Sequence, residues 1–277
     1  MIEKDYYGPW AVIAGGSEGV GPAYARLLAE AGIGVVLIAR KPGPLEETAA
    51  AVRAAGGEAR TIAVDLLADD ALEKIRAVTD GLDVGLFVFN AGAGSYAGEF
   101  VTSDLDAVRR TVDLNIACRL TLVHHFGARL KARGRGGILM MGSMNGYLGA
   151  PQISFYGAAK AFGRIFAEGL WLELAPHGVH VLELVPGGIR TPALGRLGFD
   201  LDDLPFPAAE PADVAREGLA HLADGPVWVT EGNAETARRQ SGPDRAALLR
   251  AAYTGGRRVT AAAHRPTVPA SRMEVPR

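Results

Sequence analysis

The sequence predicts an α/β protein built on one parallel sheet, and three observations support this fold class. Short apolar runs rich in β-branched residues alternate along the chain with longer segments in which apolar residues recur at helical spacing. The short runs are apolar throughout, which is typical of strands buried on both faces of a parallel sheet. No internal repeat and no linker divides the 277 residues, a length that one α/β domain accommodates. We therefore expect a single doubly wound domain with helices on both faces of the sheet.

The individual elements follow from these patterns in chain order. Seven strands are predicted from the apolar runs at residues 10–14, 35–39, 61–64, 86–89, 138–141, 179–185 and 227–229. Six helices are predicted from the longer segments at residues 22–31, 45–55, 70–79, 104–133, 155–175 and 212–223. Residues 191–211 contain several prolines and show no clear period, so we expect a lid over a substrate there. The domain is expected to span residues 1–254, and residues 255–277, rich in Arg and Pro, are expected to form a flexible tail.

The composition favours a small-molecule partner. With 48% hydrophobic residues, 22% charged residues and a net charge of -2, the chain is ordinary for a soluble globular protein and has no basic footprint for nucleic acid. The single cysteine, Cys118, cannot form an intramolecular disulfide, and no apolar run approaches the ~20 residues of a membrane span. The first residues lack the pattern of a signal peptide, so a cytoplasmic protein is expected. The histidines lack the spacing of metal ligands, and no metal site is expected.

A glycine-rich turn between the first strand and the first helix predicts a dinucleotide site. Gly15, Gly19 and Gly21 occur as G-x-x-x-G-x-G directly after the strand at residues 10–14. Glycine permits a tight turn and a close approach of the backbone to phosphate, and the amino terminus of the following helix favours negative charge. A purely structural turn is the alternative, but this position favours a nucleotide-binding fold of the Rossmann type.

The residues after the second strand bear on the choice of nucleotide. An acidic residue there would bind the ribose 2′-hydroxyl of NAD, whereas the Arg40 found at this position would accommodate the 2′-phosphate of NADP. Glu18 in the glycine turn opposes this choice unless its carboxylate points into solvent or pairs with Arg40. NADP(H) is therefore favoured, and NAD(H) stays open as the alternative.

Other candidate contacts lie at the ends of the third and fourth strands and in one helix. Asp65 closes the third strand, where it would either meet an adenine edge or cap the turn that follows. Asn90, Ala91 and Gly92 follow the fourth strand, and small residues there would let a cofactor lie against the backbone. Asn115 is a mediocre helix former among apolar neighbours, which indicates either a kink or a functional group held in a cleft.

Three side chains between residues 142 and 160 are suited to proton chemistry. Tyr156 and Lys160 lie four apart at the start of a predicted helix and therefore share one face. A free phenol has a pKa near 10, and an adjacent ammonium would lower that pKa. Ser143 follows a predicted strand at the end where ligands meet an open α/β sheet. A chance pairing of a packed ring with a solvated amine is the alternative for Tyr156 and Lys160.

Together these residues resemble the classical short-chain dehydrogenase/reductase family over about residues 10–192. The resemblance is carried in order by the glycine turn, Asp65, Asn90-Ala91-Gly92, Asn115, Ser143, Tyr156-x-x-x-Lys160 and Pro186-Gly187-Gly188-Ile189-Arg190-Thr191. Within the family, residues 7–13 and 60–65 are similar to the branch of 3-oxoacyl-CoA reductases and 17β-hydroxysteroid dehydrogenases. The resemblance implies an NAD(P)-dependent oxidoreductase that interconverts a ketone and a secondary alcohol. We expect NADPH to be the reductant and an acyl-thioester, steroid-like or alicyclic ketone to be the substrate.

The resemblance also implies a role for each residue of the site. Tyr156 would give its proton to the carbonyl oxygen, Ser143 would donate a hydrogen bond to that oxygen, and Lys160 would lower the pKa of Tyr156 and hold the nicotinamide ribose. Asn115 would position a water that connects Lys160 to solvent. The implied cofactor contacts are Gly15, Ser17, Gly19, Val20, Gly21, Arg40, Asp65, Leu66, Asn90, Ala91, Gly92, Tyr156, Lys160, Pro186, Gly187, Ile189 and Thr191. The same analogy predicts a homodimer or homotetramer packed through the helices at 104–133 and 155–175.

The predicted lid bears on the class of substrate. Its apolar residues are Leu194, Leu197, Phe199, Leu204 and Phe206, and Tyr147, Leu148 and Phe155 precede it. If these side chains line the site, the substrate is mostly apolar. The alternative is that they only pin the loop to the body of the domain.

Two other functions are consistent with parts of the sequence. Residues 15–19 match the G-x-S-x-G elbow of serine hydrolases, with Ser17 as the nucleophile and His221 or His264 as a later partner. This elbow follows the very first strand, no HGGG-type oxyanion motif is present, and Tyr156 and its neighbours would go unexplained. A nucleotide-binding regulator without activity is the second alternative, although all four catalytic positions are filled.

Overall fold

The computed structural model describes residues 2–92, 97–196, 198–204 and 206–252. The main sheet of this described part has seven strands, namely β1 Trp10–Ala14, β2 Gly34–Ala39, β3 Ala59–Ala63, β4 Val84–Phe89, β5 Gly136–Met141, β6 Val179–Val185 and β9 Val227–Val229. A second small sheet pairs β7 Gly188–Ile189 with β8 Ala208–Ala209. All neighbouring strands of the main sheet are parallel, which confirms the predicted fold class.

Helices cover both faces of the main sheet. In the described residues they are α1 Lys4–Tyr7, α2 Val20–Glu30, α3 Pro42–Ala54, α4 Ala71–Thr79, α5 Leu105–Asn115, α6 Ala117–Arg133, α7 Ser154–Leu174, α8 Pro192–Arg196, α9 Pro211–Ala220 and α10 Ala234–Gln240. Residues 245–252 are also helical. The six predicted helical segments are all present, but the segment at 104–133 is two helices rather than one.

The break between α5 and α6 corrects that prediction and has a local cause. Ile116 leaves helical geometry with φ -115° and ψ -70°. Directly before it, the Asn115 side chain donates a hydrogen bond from Nδ2 to the Thr111 carbonyl at 2.9 Å. Asn side chains compete in this way with the backbone hydrogen bonds of a helix. The kink that Asn115 predicted is therefore present.

The strand order brings the candidate site residues to one edge of the sheet. The order is β3-β2-β1-β4-β5-β6-β9, so the direction in which the sheet grows reverses between β1 and β4. In open α/β sheets, ligands bind in the crevice outside the carboxyl ends of the strands at this reversal. Gly15, Asn90, Ser143 and Pro186 follow β1, β4, β5 and β6, respectively.

Two apolar layers, one on each face of the sheet, hold the domain together. On one face the strand residue Leu37 packs in a cluster with Leu28 of α2 and Val214 of α9, all buried. On the other face Phe87 packs in a cluster with Ile75 of α4, Phe126 of α6 and their neighbours. Burial of such side chains contributes about 1.5–3 kcal/mol each. Because every residue of β2, β4 and β5 is buried, these strands are apolar without alternation, as the sequence predicted.

The predicted lid region contains regular structure in the described residues. Helix α8 follows Thr191 directly, and the pairing of β7 with β8 closes the base of the segment. Arg190 strengthens this base through an ion pair from its Nε to Glu210 at 3.1 Å. Leu197 and the predicted tail at residues 255–277 lie outside the described residues.

The described part of the chain offers neither a membrane-spanning helix nor a cluster of metal ligands. None of its helices combines the length and the apolar character that crossing a membrane requires. Its His, Cys, Asp and Glu side chains form no cluster of three or more that could hold a metal ion.

Candidate active site

The glycine turn has the backbone geometry of a phosphate cradle. Gly15 has φ +90°, and a Cβ placed on it would lie 2.7 Å from the Ala91 amide nitrogen. A Cβ on Gly21 would lie 2.0 Å from the Gly15 carbonyl oxygen, so only glycine fits at either position. Helix α2 begins directly after Gly19, and no side chain caps its amino terminus. The free amide donors of that first turn fit the pyrophosphate of a dinucleotide.

The end of β4 is tied to this turn. Asn90 donates a side-chain hydrogen bond from Nδ2 to the Gly15 carbonyl at 2.7 Å. The backbone amides of Asn90 and Ala91 both donate to the Ala14 carbonyl, at 2.9 and 2.8 Å. These bonds hold the two loops at a fixed spacing across the crevice.

Glu18 does not pair with Arg40, which was the arrangement considered from the sequence. Its carboxylate accepts instead from Arg196 of α8 at 2.8 Å and from Lys41 at 3.3 Å. The hydrogen bond from Arg196, followed by that from Lys41, lowers the pKa of Glu18 against the opposing effect of burial. Arg40 is exposed at the end of β2 and has no ion-pair partner among the described residues. Glu18 thus connects the glycine turn to the lid and leaves Arg40 available.

Asp65 caps the turn that follows β3. Its Oδ1 accepts from the Leu67 amide at 3.1 Å, and its Oδ2 accepts from Arg110 of α5 at 3.2 Å. Leu66 packs at the edge of the apolar cluster on that face of the sheet. The two interpretations of Asp65 are compatible, since a capped carboxylate still lies at the sheet edge where an adenine ring would reach it.

Ser143, Tyr156 and Lys160 converge at the end of β5. Ser143 begins the short helical turn Met144–Gly146, where its Oγ accepts from the Asn145 amide at 3.2 Å. Ser143 lies close enough to the Tyr156 phenol to influence its pKa. Lys160 is buried, and its Nζ lies 5.5 Å from the centroid of the Tyr156 ring. The helical spacing of Tyr156 and Lys160 therefore brings both to one face of α7, as predicted.

The electrostatics of this group differ from the sequence-based expectation. Burial raises the pKa of Tyr156, and the hydrogen bond from Ser143 and the charge of Arg119 oppose that rise. Lys160 Nζ donates to the Met141 carbonyl at 2.9 Å. Burial and the neighbouring Arg119 lower the pKa of Lys160 to about 7, while Glu183 raises it.

Asn115 presents an unpaired acceptor to the same region. The side chain is fully buried, and its Oδ1 has no hydrogen-bond partner in the described part of the chain. Gly92 lies directly opposite, where an added Cβ would stand 2.5 Å from Oδ1. A buried carbonyl oxygen without a partner is costly, and a bound water would satisfy it.

The segment after β6 closes the crevice from the other side. The Pro186 carbonyl accepts from the Met144 amide at 3.0 Å, and Gly187 lies against the Asn233 side chain. Ile189 pairs with Ala209 in the small sheet. Thr191 lies over the glycine turn, since a Cβ on Gly19 would be 3.1 Å from its Cγ2. Backbone from four loops thus surrounds one crevice.

Comparison with known proteins identifies the family. The family model for short chain dehydrogenases matches residues 9–200. The chain belongs to the short-chain dehydrogenase family. It is an oxidoreductase of that family, whose members bind NAD(P).

Several relatives of this dehydrogenase are characterised. The chain is 30% identical over 251 residues to a 7beta-hydroxysteroid dehydrogenase of Clostridium sardiniense, covering 90% of this chain and 96% of that enzyme. It is 34% identical over 190 residues to the very-long-chain 3-oxoacyl-CoA reductase of Mus musculus, covering 66% of this chain and 60% of that reductase.

Solved structures agree with these sequence relatives. A 7beta-hydroxysteroid dehydrogenase structure superposes with a TM-score of 0.82 at 26% identity, over 92% of this chain and all of the other. A short-chain dehydrogenase from Sphingobium yanoikuyae in complex with NADPH superposes with a TM-score of 0.74 at 30% identity, over 96% of this chain and 100% of that chain.

The serine hydrolase interpretation finds no support in this dehydrogenase. His221, one of its two candidate histidines, bonds Asp224 at 2.7 Å and stacks on Trp228. His264 lies outside the described residues. Ser17 belongs to the glycine turn that precedes α2.

Sequence reasoning missed two residues beside the site. Arg119 of α6 and Glu183 of β6 are fully buried and form an ion pair at 3.1 Å. An indirect signal was present, because Gly163 stands inside the long helix α7, where glycine costs about 1 kcal/mol relative to alanine. A glycine at such a position often marks a close approach, and here the Arg119 side chain occupies the space.

Proposed function

We propose that this chain reduces an apolar ketone to a secondary alcohol with NADPH as the reductant. The observation that carries the proposal is the grouping of Ser143 and Tyr156 beside the buried Lys160, at the sheet edge that also holds the glycine turn. When bound, the nicotinamide supplies a hydride to the carbonyl carbon. The remaining chemistry belongs to the side chains of the chain.

Each of these side chains has one task in the reduction. Tyr156 gives its phenolic proton to the carbonyl oxygen as negative charge develops there. Ser143 donates a hydrogen bond to the same oxygen and orients the ketone. Lys160 then restores the proton to Tyr156, because an amine with a pKa near 7 accepts and releases protons at neutral pH. The buried Oδ1 of Asn115 holds the water that links Lys160 to solvent.

The preference for NADPH rests on the charges around the end of β2. Arg40, Lys41 and Arg196 are three cations near this end, against the single carboxylate of Glu18. Because Glu18 is paired with Lys41 and Arg196, its charge is compensated and does not repel a 2′-phosphate. The exposed Arg40 guanidinium is suited to bind that phosphate through two parallel hydrogen bonds.

We predict that Arg40→Ala raises the KM for NADPH by about 10- to 100-fold, since a hydrogen bond to a charged group contributes about 1.5–3 kcal/mol. The KM for NADH should stay unchanged, because NADH lacks the 2′-phosphate. Steady-state kinetics with both cofactors measures the ratio. Arg109→Ala is the matched control, since Arg109 is exposed on α5 and pairs with Asp106. An unchanged NADPH to NADH ratio in Arg40→Ala would contradict the preference.

The apolar substrate class rests on the lid and on the relatives. Leu194, Phe199, Leu204 and Phe206 are all partly buried, and Phe199 contacts Phe206 edge to face at 5.6 Å between centroids. That contact supports the alternative in which these residues pin the lid, and their remaining exposed surface supports contact with an apolar ligand. Relatives named for steroid and acyl-CoA substrates favour a bulky ketone.

A ketone panel tests the function directly. Purified protein would be assayed with steroid ketones, 3-oxoacyl-CoA thioesters and alicyclic ketones, each with NADPH and with NADH. Oxidation of NADPH with at least one bulky ketone is the expected result. NADPH binding without turnover on any ketone or the matching alcohols would favour the regulator without activity. Labelling of Ser17 by a serine-directed phosphonate would instead favour a hydrolase.

We also propose a homodimer or homotetramer packed through α5, α6 and α7. Exposed apolar side chains lie on these helices, namely Leu105, Leu120, Ile165 and Leu172. Ile165 and Leu172 are seven residues apart and share one face of α7. Isolated exposed apolar residues are common, but such a cluster on adjacent helices favours association. Cytoplasmic location stays a prediction from composition.

The oligomer predicts a simple solution result. The double variant Ile165→Glu and Leu172→Glu should elute as a monomer in size-exclusion chromatography with light scattering, because it places carboxylates in the apolar contact. Leu249→Glu is the control, since Leu249 is 40% exposed outside these three helices. A wild-type mass equal to one chain would refute the assembly.

A further inference from the structure

A buried charge cluster lies directly behind the candidate site. Arg119 Nη1 donates to Glu183 Oε2 at 3.1 Å, and both side chains have no exposed surface. Arg119 Nη2 donates to the Met141 carbonyl at 3.2 Å, and Lys160 Nζ donates to the same carbonyl at 2.9 Å. The guanidinium and the amine are therefore neighbours that share one acceptor.

The fold makes room for this pair at two glycines. A Cβ on Gly163 of α7 would lie 1.9 Å from Arg119 Nη1 and 2.7 Å from Glu183 Oε1. A Cβ on Gly142, directly after β5, would lie 2.8 Å from Glu183 Oε1. The Arg119 guanidinium also lies 5.3 Å from the centroid of the Phe89 ring, which favours its charged form. Four segments of the domain thus shape one pocket around two charges.

A buried ion pair of this kind adds little to the stability of the fold. Desolvation of two charges offsets much of their attraction, and apolar replacements of similar volume are often as stable. Two polar atoms of the pair, Arg119 Nε and Glu183 Oε1, have no hydrogen-bond partner in the described part of the chain. An ion pair in which some polar atoms lack hydrogen-bond partners contributes little to stability. Because Arg119 and Lys160 donate to the same Met141 carbonyl, the ion pair is placed to act on Lys160.

The charged and titratable groups that face this cluster come from four elements. They are Arg119 of α6, Glu183 of β6, Tyr156, Lys160 and Arg164 of α7, Tyr147 before α7, and the buried phenol of Tyr24 on α2, which donates to Met141 Sδ. The charges that act on Lys160 are those of Arg119, which lowers the pKa of the amine, and Glu183, which raises it. With the Lys160 amine charged the cluster of three carries +1, and with the amine neutral it carries none.

We propose that Arg119 and Glu183 act as a positioning pair for the Lys160 amine, which shares the Met141 carbonyl with Arg119, and that their charges set how readily this amine exchanges its proton. The inference rests on the proposed function, in which Lys160 restores the proton of Tyr156. The positive charge of Arg119 lowers the pKa of the Lys160 amine, and the negative charge of Glu183 raises it. Because both side chains are fully buried, we infer that both act through Lys160.

The protonation of Lys160 is measurable without cofactor or substrate. The chain contains five lysines, and Lys4, Lys41, Lys74 and Lys131 are exposed. In protein labelled with ε-¹³C-lysine, each lysine gives one resonance whose shift follows its titration, and Lys160→Met assigns the resonance of Lys160. We expect the resonance of Lys160 to titrate near pH 7.

Two variants should move the Lys160 midpoint in opposite directions. Glu183→Gln is nearly isosteric and removes the negative charge, so the midpoint should fall by about one to three pH units. Arg119→Met removes the positive charge, so the midpoint should rise by a similar amount. The double variant should return towards the wild-type value, because the two opposing charges are removed together. Arg119→Lys keeps the charge and should retain a low midpoint.

These outcomes separate the pair from the proposed function. Lys160 titrating near the ordinary lysine value of about 10.4, or both single variants moving its midpoint the same way, would overturn the proposal. Glu183→Gln decides the question alone if Arg119→Met fails to fold. The pH profile of kcat for ketone reduction should move with the midpoints. If the midpoints shift as expected and the profile does not, the role of Lys160 in the proposed function is wrong and the pair stands.

Discussion

Tyr156→Phe is expected to lower kcat for ketone reduction by about 10²- to 10⁴-fold, the range associated with loss of a general acid. The phenolic hydroxyl is the group that would protonate the carbonyl oxygen, and Ser143 alone cannot replace it, since its hydroxyl only donates a hydrogen bond. The phenyl ring keeps the same shape against α7. NADPH affinity, measured by isothermal titration calorimetry, should therefore remain close to that of the wild type.

The matched control for this substitution lies at the other end of the sheet. Tyr6 donates its hydroxyl hydrogen bond to the Gly178 carbonyl, before the amino end of β6. Tyr6→Phe removes one phenolic hydroxyl without touching the crevice, so kcat should be unchanged. Turnover retained in Tyr156→Phe would refute Tyr156 as the proton donor. Turnover and NADPH binding lost together would point to a misfolded crevice.

Arg119→Met is expected to lower the free energy of unfolding by about 3–5 kcal/mol, the cost of breaking a buried ion pair. Methionine fills most of the volume, but Glu183 is then left as a buried carboxylate facing a single amine. Burial already raises the pKa of Glu183 against the opposing charges of Arg119 and Lys160. Without Arg119, one fewer positive charge offsets the cost of burying the Glu183 carboxylate. Chemical denaturation at pH 7 measures the change.

Two comparisons make this stability result specific. Arg26→Ala breaks an exposed ion pair with Glu30 on α2 and should cost no more than about 1 kcal/mol. Adding Glu183→Gln to Arg119→Met should recover part of the loss, because the buried carboxylate that lost its partner is then replaced by a neutral amide. If Arg119→Met costs no more than Arg26→Ala, the Arg119–Glu183 pair carries no special weight in the fold.

Much of the fold was predictable because its determinants are local. The strands are apolar over their whole length since both faces of the sheet are covered, and that composition is visible residue by residue. The glycine spacing predicted the turn between β1 and α2, because the backbone there leaves no room for a side chain. The break at Ile116 was only half predicted, since Asn115 indicated a kink without excluding a continuous helix. The lid was predicted as irregular, yet α8 and the β7–β8 pairing order it.

Within the candidate site, contacts between residues close in the sequence were predictable, and contacts between distant residues were not. Tyr156 and Lys160 are neighbours on one helix, so their spacing alone predicted their common face. Glu18 pairs with Arg196, which lies 178 residues away, and no local pattern announces such a contact. Arg40, the partner considered from the sequence, was nearer along the chain but does not reach Glu18.

The sequence by itself determined the fold class, the family and the residue types of the reaction, because these depend on periodicity and on motifs at fixed spacing. Only the tertiary structure decided how the charges are arranged. Arg119 and Glu183 lie 64 residues apart and meet because α6 packs against β4 and β5, and β6 is the next strand of the sheet. Their desolvation, and with it the shift in the pKa of Lys160 to about 7, exists only once the surrounding helices have excluded water.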